Sequence, residues 1–313
     1  MIVLIGGSGF IGSNLAYKLK QYKKDFKILD INLNPEFKNW TVIVNILDKN
    51  NLIKNIPANS VIINLAAIHR DDEKREDYYS VNVEGSKNIC EAAELKNCKK
   101  IIFLSSVAIY GFAKPFSDEN SFQNPYNYYG KSKKKAEKIY LNWNKESQDN
   151  QLIIIRPTAV FGPGNRGNIF TLINQIYKGP FFMVGKGKNT KSIAYIENVT
   201  DFIIHLLWLR KKLVITNYVD EPQLTLHELI MFCKKELKDN TKLKTIPFQV
   251  IFFVAIIFDF ISFFVNKKFK ISKIRIKKFI TESSYSSNFN GFVAKHSLKD
   301  GLSVTIKKQF NIK

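Results

Sequence analysis

Met1-Ile2-Val3-Leu4-Ile5-Gly6-Gly7-Ser8-Gly9-Phe10-Ile11-Gly12 opens the chain, and its reading decides the fold. A short apolar run breaks into glycines and then into a helical pattern. A strand, a glycine turn and a helix in that order let backbone N–H groups approach a pyrophosphate. Gly7 and Gly9 are expected at the tight turn and the close approach, and Gly12 where helix packs on strand. The helix N-terminus adds partial positive charge facing the phosphates. Asp30 ends the next apolar run, Phe26–Leu29, eighteen residues after Gly12. A carboxylate there suits a ribose 2′-OH and favours NAD over NADP. Gly6, Gly7, Ser8, Gly9, Phe10, Ile11, Gly12 and Asp30 are therefore the expected dinucleotide contacts. The competing reading is a glycine-rich turn in some other α/β protein; strand, helix and acid together weigh against it.

Outward from this motif, apolar runs alternate with helical patterns. Strands are expected at Ile2–Ile5, Phe26–Ile31, Thr41–Val44, Ser60–Leu65, Lys100–Ser105 and Gln151–Arg156, and helices at Ile11–Lys20, Asp77–Asn97 and Gly130–Glu146. The expected class is α/β: a doubly wound parallel sheet of Rossmann type with a smaller C-terminal substrate lobe. The dinucleotide domain is expected over 1–165. A strand at Ser192–Ile196 and a helix at Val199–Leu209 are expected to return to the sheet, so 192–220 rejoins that domain. Residues 166–191 and 221–313 form the second lobe.

With 313 residues and 45% hydrophobic content, the chain supports a sizeable core, which excludes global disorder. Cys90, Cys98 and Cys233 are odd in number and form no C-x-x-C pair, as expected of a reducing, cytoplasmic compartment. No signal peptide is expected, because residue 2 already belongs to the first strand. Four histidines without ligand spacing point to no metal site.

The formal charge is +21, and Lys267 to Lys278 holds seven basic residues and no acid. This cluster follows an 18-residue stretch, Phe248 to Val265, whose one charge is Asp259. As a helix it would extend about 27 Å, at the lower edge for a membrane span. The carboxylate at bilayer depth disfavours a span. A buried helix of the small lobe and a helix lying in the membrane interface both stay open. Apolar and basic residues over 248–278 resemble a juxtamembrane segment attracted to anionic lipid. Nucleic acid is not expected as a partner, because the aromatics interleave with apolar residues rather than with a basic groove.

Ser105-Ser106-Val107-Ala108-Ile109-Tyr110-Gly111 follows a strand, which puts the hydroxyls at the crevice where α/β sheets bind ligands. Tyr129-Gly130-Lys131-Ser132-Lys133 opens a helix, and residues four apart share a helix face. A phenol is a poor base at neutrality; a nearby ammonium is expected to lower the Tyr129 pKa. Such a tyrosine can take a proton from a sugar hydroxyl while hydride leaves the same carbon, with Ser106 bonded to the reacting oxygen. Tyr126 has no lysine four residues on, and Tyr128 has Ser132 there, so the register falls on Tyr129 and Lys133. The bland alternative is a solvated helix start with a packed tyrosine.

These motifs resemble the extended short-chain dehydrogenase/reductases that act on sugars, and the resemblance covers essentially the whole chain. It includes the opening glycines, Leu65-Ala66-Ala67, Val81-Asn82-Val83-Glu84-Gly85, the Ser106, Tyr129 and Lys133 set, Arg156-Pro157-Thr158 and Phe161-Gly162-Pro163-Gly164. It implies NAD as cofactor, Tyr129 as acid/base, Lys133 on the nicotinamide ribose, and Ser106 polarising the substrate oxygen. It further implies Asn45, Ile46, Leu65, Ala66, Ala67, Asn82 and Pro157 as cofactor contacts. Asn45 stands where the family usually has an aspartate, and still offers a side-chain carbonyl. Ala66 to Asp72, Gly164 to Asn168, Lys191 to Tyr195, Tyr218 to Asp220 and Ile274 to Phe279 are similar to one branch. That branch is the bacterial 4-epimerases of N-acetylglucosamine linked through diphosphate to undecaprenol, which serve surface polysaccharides of O-antigen type. The resemblance implies a lipid-linked sugar diphosphate substrate, peripheral contact with an anionic membrane on the cytoplasmic face, and a homodimer as one assembly to test. Arg166 and Arg275 are candidate diphosphate partners, with surface ion pairs as the alternative. Asn168 and His69 are candidate substrate contacts, and for His69 a loop-ordering role is the favoured alternative. Rival readings are a soluble UDP-sugar 4-epimerase, a keto-reductase or dehydratase, and a non-catalytic NAD-binding regulator or membrane scaffold.

Overall fold

Alternate residues of each central strand enter opposite apolar cores, which is why the strands read as nearly unbroken hydrophobic runs. Leu4, Ile28, Ile63, Ile102 and Ile153 face one core; Val3, Leu29, Ile62, Ile101 and Leu152 face the other. The computed structural model describes residues 1–69, 74–253, 256, 277 and 279–312. The first strands are β1 (Ile2–Ile5), β2 (Phe26–Asp30), β3 (Thr41–Ile43), β4 (Val61–Asn64), β5 (Lys100–Leu104) and β6 (Gln151–Pro157). They are followed by β7 (Ala159–Phe161), β8 (Phe182–Val184), β9 (Thr190–Lys191), β10 (Ile193–Tyr195), β11 (Leu213–Tyr218), β12 (Leu224–Thr225) and β13 (Lys244–Ile246). A seven-stranded, all-parallel sheet runs β3-β2-β1-β4-β5-β6-β11. Strand order reverses between β1 and β4, and such a switch point opens a ligand crevice at the carboxyl ends of the strands.

The helices are α1 (Phe10–Gln21), α2 (Lys49–Asn55), α3 (Arg75–Tyr79), α4 (Gly85–Leu95), α5 (Tyr128–Glu146), α6 (Asn168–Lys178), α7 (Ile196–Leu207), α8 (Leu226–Glu236) and α9 (Leu298–Phe310). Leu15 and Leu19 of α1 with Phe202 and Ile203 of α7 cover one face of the sheet. Leu52 of α2, Ile89 and Ala93 of α4, and Ala136 and Tyr140 of α5 cover the other. A third core joins Ile173 of α6, Leu229 of α8 and Leu302 of α9.

Three expectations change. The helix read over Asp77–Asn97 is interrupted: between α3 and α4, Ser80–Glu84 form a wider π turn. The strand near Ser192–Ile196 does not enter the main sheet; β10 pairs with β7, and β11 is the strand that returns, against β6. Its six-residue run was hidden by the unpatterned residues Arg210-Lys211-Lys212 before it. The short α2 was also missed, although Asp48 caps it by accepting from the Asn51 N–H at 3.1 Å. In the stretch 248–278, residues 248–253 are helical, while 254–255, 257–276 and 278 lie outside the described residues, Asp259 and Arg275 among them.

Candidate active site

The glycine turn is built from contacts that exclude side chains. Gly6, not Gly7, takes the left-handed conformation, with φ +78°, and a Cβ there would lie 2.5 Å from the Ala66 nitrogen. A Cβ on Gly12 would lie 2.5 Å from Gly7 Cα, so α1 packs directly on the turn. Gly9 differs: its Cβ would meet only the Gly6 carbonyl oxygen, at 3.4 Å. It precedes α1 without a side-chain cap, and the first turn carries no acid. Those orphan N–H groups suit an anion. The Asp30 carboxylate holds the turn from β2, accepting from the Ser8 N–H and from the Asn32 N–H, both at 2.9 Å. Each oxygen keeps a lone pair for a ribose hydroxyl. Open approach at Gly9, uncapped helix and carboxylate together fit a dinucleotide.

The other expected cofactor residues divide. Leu65, Ala66 and Ala67 follow β4 and close over Gly6, with Ala66 N–H donating to Asn64 Oδ1 at 3.0 Å. Pro157 ends β6 opposite Tyr218. Asn45 is exposed, and its side-chain carbonyl accepts from the Leu47 N–H at 2.9 Å. Ile46 is buried in the second core, close against Gly85. Asn82, on the π turn, accepts from the Ile68 N–H at 2.9 Å. It also donates to the Ile68 carbonyl at 3.0 Å and to Ser132 Oγ at 2.8 Å. It therefore clamps the loop after β4 onto α5, a positioning task legible only once the π turn is seen.

Ser106 ends the strand-to-turn transition after β5 and accepts from the Ala108 N–H at 3.1 Å. Asn127 caps α5 by accepting from the Gly130 N–H at 2.9 Å. Gly130 allows α5 to rest on the turn: a Cβ there would lie 2.4 Å from the Ala108 carbonyl oxygen. That packing sets Tyr129 beside Ser106. Burial pushes the Tyr129 phenol up to about 12; the neighbouring Ser106 opposes this and Tyr78 adds to it. The expected lowering by Lys133 is not seen. Lys133 Nζ donates instead to the Leu104 carbonyl at 2.8 Å and stands 4.6 Å from the centre of the Phe103 ring. Burial pulls the Lys133 ammonium down to about 7, and the nearby Glu137 charge works against that. Desolvation disfavours the charged form of each.

The expected substrate residues are not joined to this group. His69, Arg166 and Asn168 are exposed; among the described residues no hydrogen bond or ion pair links them to Ser106, Tyr129 or Lys133. Arg166 lies between β7 and α6, and Asn168 is the first residue of α6. What sequence reading missed is a buried polar network behind the site. Glu137 accepts from Ser105 Oγ at 2.5 Å and from Arg156 Nε and Nη2 at 3.0 and 2.7 Å. Arg156 Nη1 donates to the Tyr110 hydroxyl at 2.8 Å, which donates to Asn217 Oδ1 at 2.8 Å. The available signal was Glu137 four residues after Lys133, on the same helix face.

Residues 2–215 match the NAD dependent epimerase/dehydratase family. The N-acetyl-alpha-D-glucosaminyl-diphospho-ditrans,octacis-undecaprenol 4-epimerase of Escherichia coli O157:H7 is 37% identical, over 99% of this chain and 95% of its own length. A UDP-glucose 4-epimerase of Vibrio cholerae is 29% identical over 65% of each chain. Among solved structures, a Thermotoga maritima UDP-glucose 4-epimerase with UDP-glucose superposes with TM-score 0.79 at 19% identity, covering 99% of this chain and 98% of that one. MoeE5 in complex with UDP-glucuronic acid and NAD superposes with TM-score 0.74, also at 19% identity, covering 99% of each chain. With its glycine turn, switch-point crevice and Ser106–Tyr129 pair, the chain belongs to the NAD-dependent epimerase/dehydratase family.

Proposed function

We propose that this protein is an NAD-dependent 4-epimerase interconverting N-acetylglucosamine and N-acetylgalactosamine carried on undecaprenyl diphosphate. The observation that carries this reading is full-length similarity to the lipid-linked 4-epimerase: 37% identity over 99% of the chain. Similarity to the Vibrio UDP-glucose enzyme stops at 65% of the chain. Higher identity over nearly the whole chain therefore favours the lipid-linked substrate.

Held by the glycine turn and Asp30, NAD supplies the acceptor and donor for the hydride at sugar C4. Tyr129 takes the proton of the 4-hydroxyl and returns it to the same oxygen. Ser106, beside Tyr129, holds that oxygen in line. The reactive arrangement is an ionised Tyr129 with a charged Lys133. It has the same number of protons as the resting arrangement above neutrality, a neutral Lys133 with a protonated Tyr129. The exchange needs no net proton uptake, so the balance between the two ionisations sets the reactive fraction.

A polyprenyl-linked sugar stays in its bilayer, so the enzyme must dock there. Val250, Phe253 and Ile256 are exposed, within the apolar stretch 248–265 that precedes the basic run 267–278. Apolar insertion beside cationic side chains supports peripheral attachment to an anionic cytoplasmic leaflet in an O-antigen-type pathway. Among the described residues, no helix is long and apolar enough to cross a membrane. The test is a paired assay with lipid-linked and UDP-linked N-acetylglucosamine, membranes present. Conversion of the lipid-linked sugar, abolished by Tyr129→Phe with NAD binding retained, is expected. Conversion of the UDP sugar alone would overturn the substrate assignment in favour of a soluble UDP-sugar epimerase.

A further inference from the structure

Tyr129, Lys133 and Glu137 succeed one another at four-residue intervals along α5, and the third has no part in the chemistry above. Glu137 is 3% exposed, and every hydrogen bond it makes comes from an element that carries part of the site. Ser105 Oγ, from the residue before Ser106, donates to Oε1. Arg156, at the carboxyl end of β6, donates to both oxygens. Its remaining nitrogen donates to Tyr110, the last residue of the turn that Ser106 opens. Lys133, one helical turn earlier, donates to Leu104 at the end of β5. One buried carboxylate therefore connects β5, β6, the Ser106 turn and the catalytic helix.

We propose that Glu137 is the positioning residue of this site, standing one helical turn beyond Lys133 as its nearby negative charge and, through Arg156 and Tyr110, fixing the turn that carries Ser106. The inference rests on the reading of Tyr129 and Lys133 as the working pair. A buried ammonium needs a compensating charge, and Glu137 is the carboxylate that raises Lys133 against burial. Glu119, whose carbonyl accepts from Arg156 and whose charge faces Tyr110, is the other carboxylate at this network; among the described residues, Glu137 is the one that acts on Lys133. Tyr129 and Tyr140 on α5, Tyr110 in the turn and Cys90 on α4 are all pushed upward by burial and stay protonated. Arg156 on β6 is the remaining cation, and it is spent on Glu137 itself.

Glu137→Gln tests this, with a signature that a merely structural residue lacks. Removing the charge lowers the Lys133 midpoint, so the acid limb of kcat moves about one pH unit toward acid. The plateau above it falls about tenfold, because the charged-lysine, ionised-tyrosine fraction shrinks by that factor. Below the limb, kcat matches the wild type, since only Tyr129 ionisation limits there. An equal loss of kcat at every pH overturns the proposal and leaves Glu137 a packing residue. A second readout does not require turnover: titration of the side-chain resonances of carbon-13-labelled lysine, with Lys133 assigned by its loss in Lys133→Met. A Lys133 midpoint unmoved by Glu137→Gln sinks the inference even if the enzyme is an epimerase. A lowered midpoint without turnover on any sugar diphosphate upholds it and sinks the catalytic reading instead. Because Glu137→Gln leaves Arg156 unpaired, Glu137→Gln with Arg156→Met provides a charge-balanced companion, expected to fold and to shift Lys133 in the same direction.

Discussion

A methyl group at Gly9 would meet a single carbonyl oxygen at 3.4 Å, whereas one at Gly12 would strike Gly7 Cα at 2.5 Å. The two glycines therefore separate binding from folding. Gly9→Ala is expected to change stability by less than about 0.5 kcal/mol while weakening NAD binding at least about tenfold, since its methyl stands where the pyrophosphate must come close. Gly12→Ala is expected to lose several kcal/mol of stability by overpacking. Calorimetric NAD titration beside thermal melts reads both; undiminished affinity in Gly9→Ala would place the phosphates elsewhere. Lys133 allows a second test. Its folded-state pKa lies below the ordinary 10.5, near 7, so the charged form is disfavoured by folding. That penalty is complete below pH 7, fades as pH rises from 7 to 10.5, and is gone above. Lys100 and Lys191, each pulled to about 8 by burial, act in the same direction over 8 to 10.5. Lys133→Met should raise stability at pH 7 by on the order of 2 kcal/mol and flatten its rise toward pH 10 while removing turnover. A destabilised Lys133→Met at neutral pH would contradict the burial account.

The connection from β4 through α3, the π turn and α4 shows what an element boundary can do. A continuous α-helix would not turn the Asn82 amide toward Ile68; the extra backbone of a π turn does, and such turns gather at functional sites. Asn82→Ala removes three hydrogen bonds and strands the Ile68 N–H. A loss of about 3 kcal/mol is expected, together with weaker NAD binding, because Leu65–Ala67 precede the freed loop. Wild-type affinity in a destabilised Asn82→Ala would confine Asn82 to stability. The same π turn accounts for the continuous helical pattern of the sequence here. Hydrophobic period locates Asp77–Asn97 as helical, but one inserted residue in a hydrogen-bond ladder leaves hardly any trace in periodicity. Asn127 and Asp48 cap the starts of α5 and α2.

At the scale of the molecule, the sheet presents the Gly6–Gly12 turn, the Leu65–Ala67 loop, Ser106 and Pro157 along one carboxyl edge, because β1, β4, β5 and β6 are neighbours. Val250, Phe253 and Ile256 are exposed apolar side chains ahead of the basic stretch 267–278. Pelleting with anionic vesicles is therefore expected, with release by high salt. Val250→Ser with Phe253→Ser should weaken pelleting without lowering the melting temperature, since both side chains are already exposed. Salt-insensitive pelleting, or none, would remove the membrane from the mechanism.

The class of fold, the strand–glycine–helix turn beside Asp30, and the placement of Ser106 after β5 and of Tyr129 and Lys133 at the start of α5 were legible in the sequence. Each depends on local spacing: a strand running into glycines, or two side chains four apart on one helix. Tertiary structure alone decided that Gly6 takes the strained turn, that β11 rather than β10 rejoins the sheet, and that Lys133 leans on Leu104. It also decided that Glu137 gathers Ser105 and Arg156. Those outcomes depend on which distant segments share a buried volume, and on how far burial moves an ionisation. Neither quantity is carried by residue order until the chain has closed on itself.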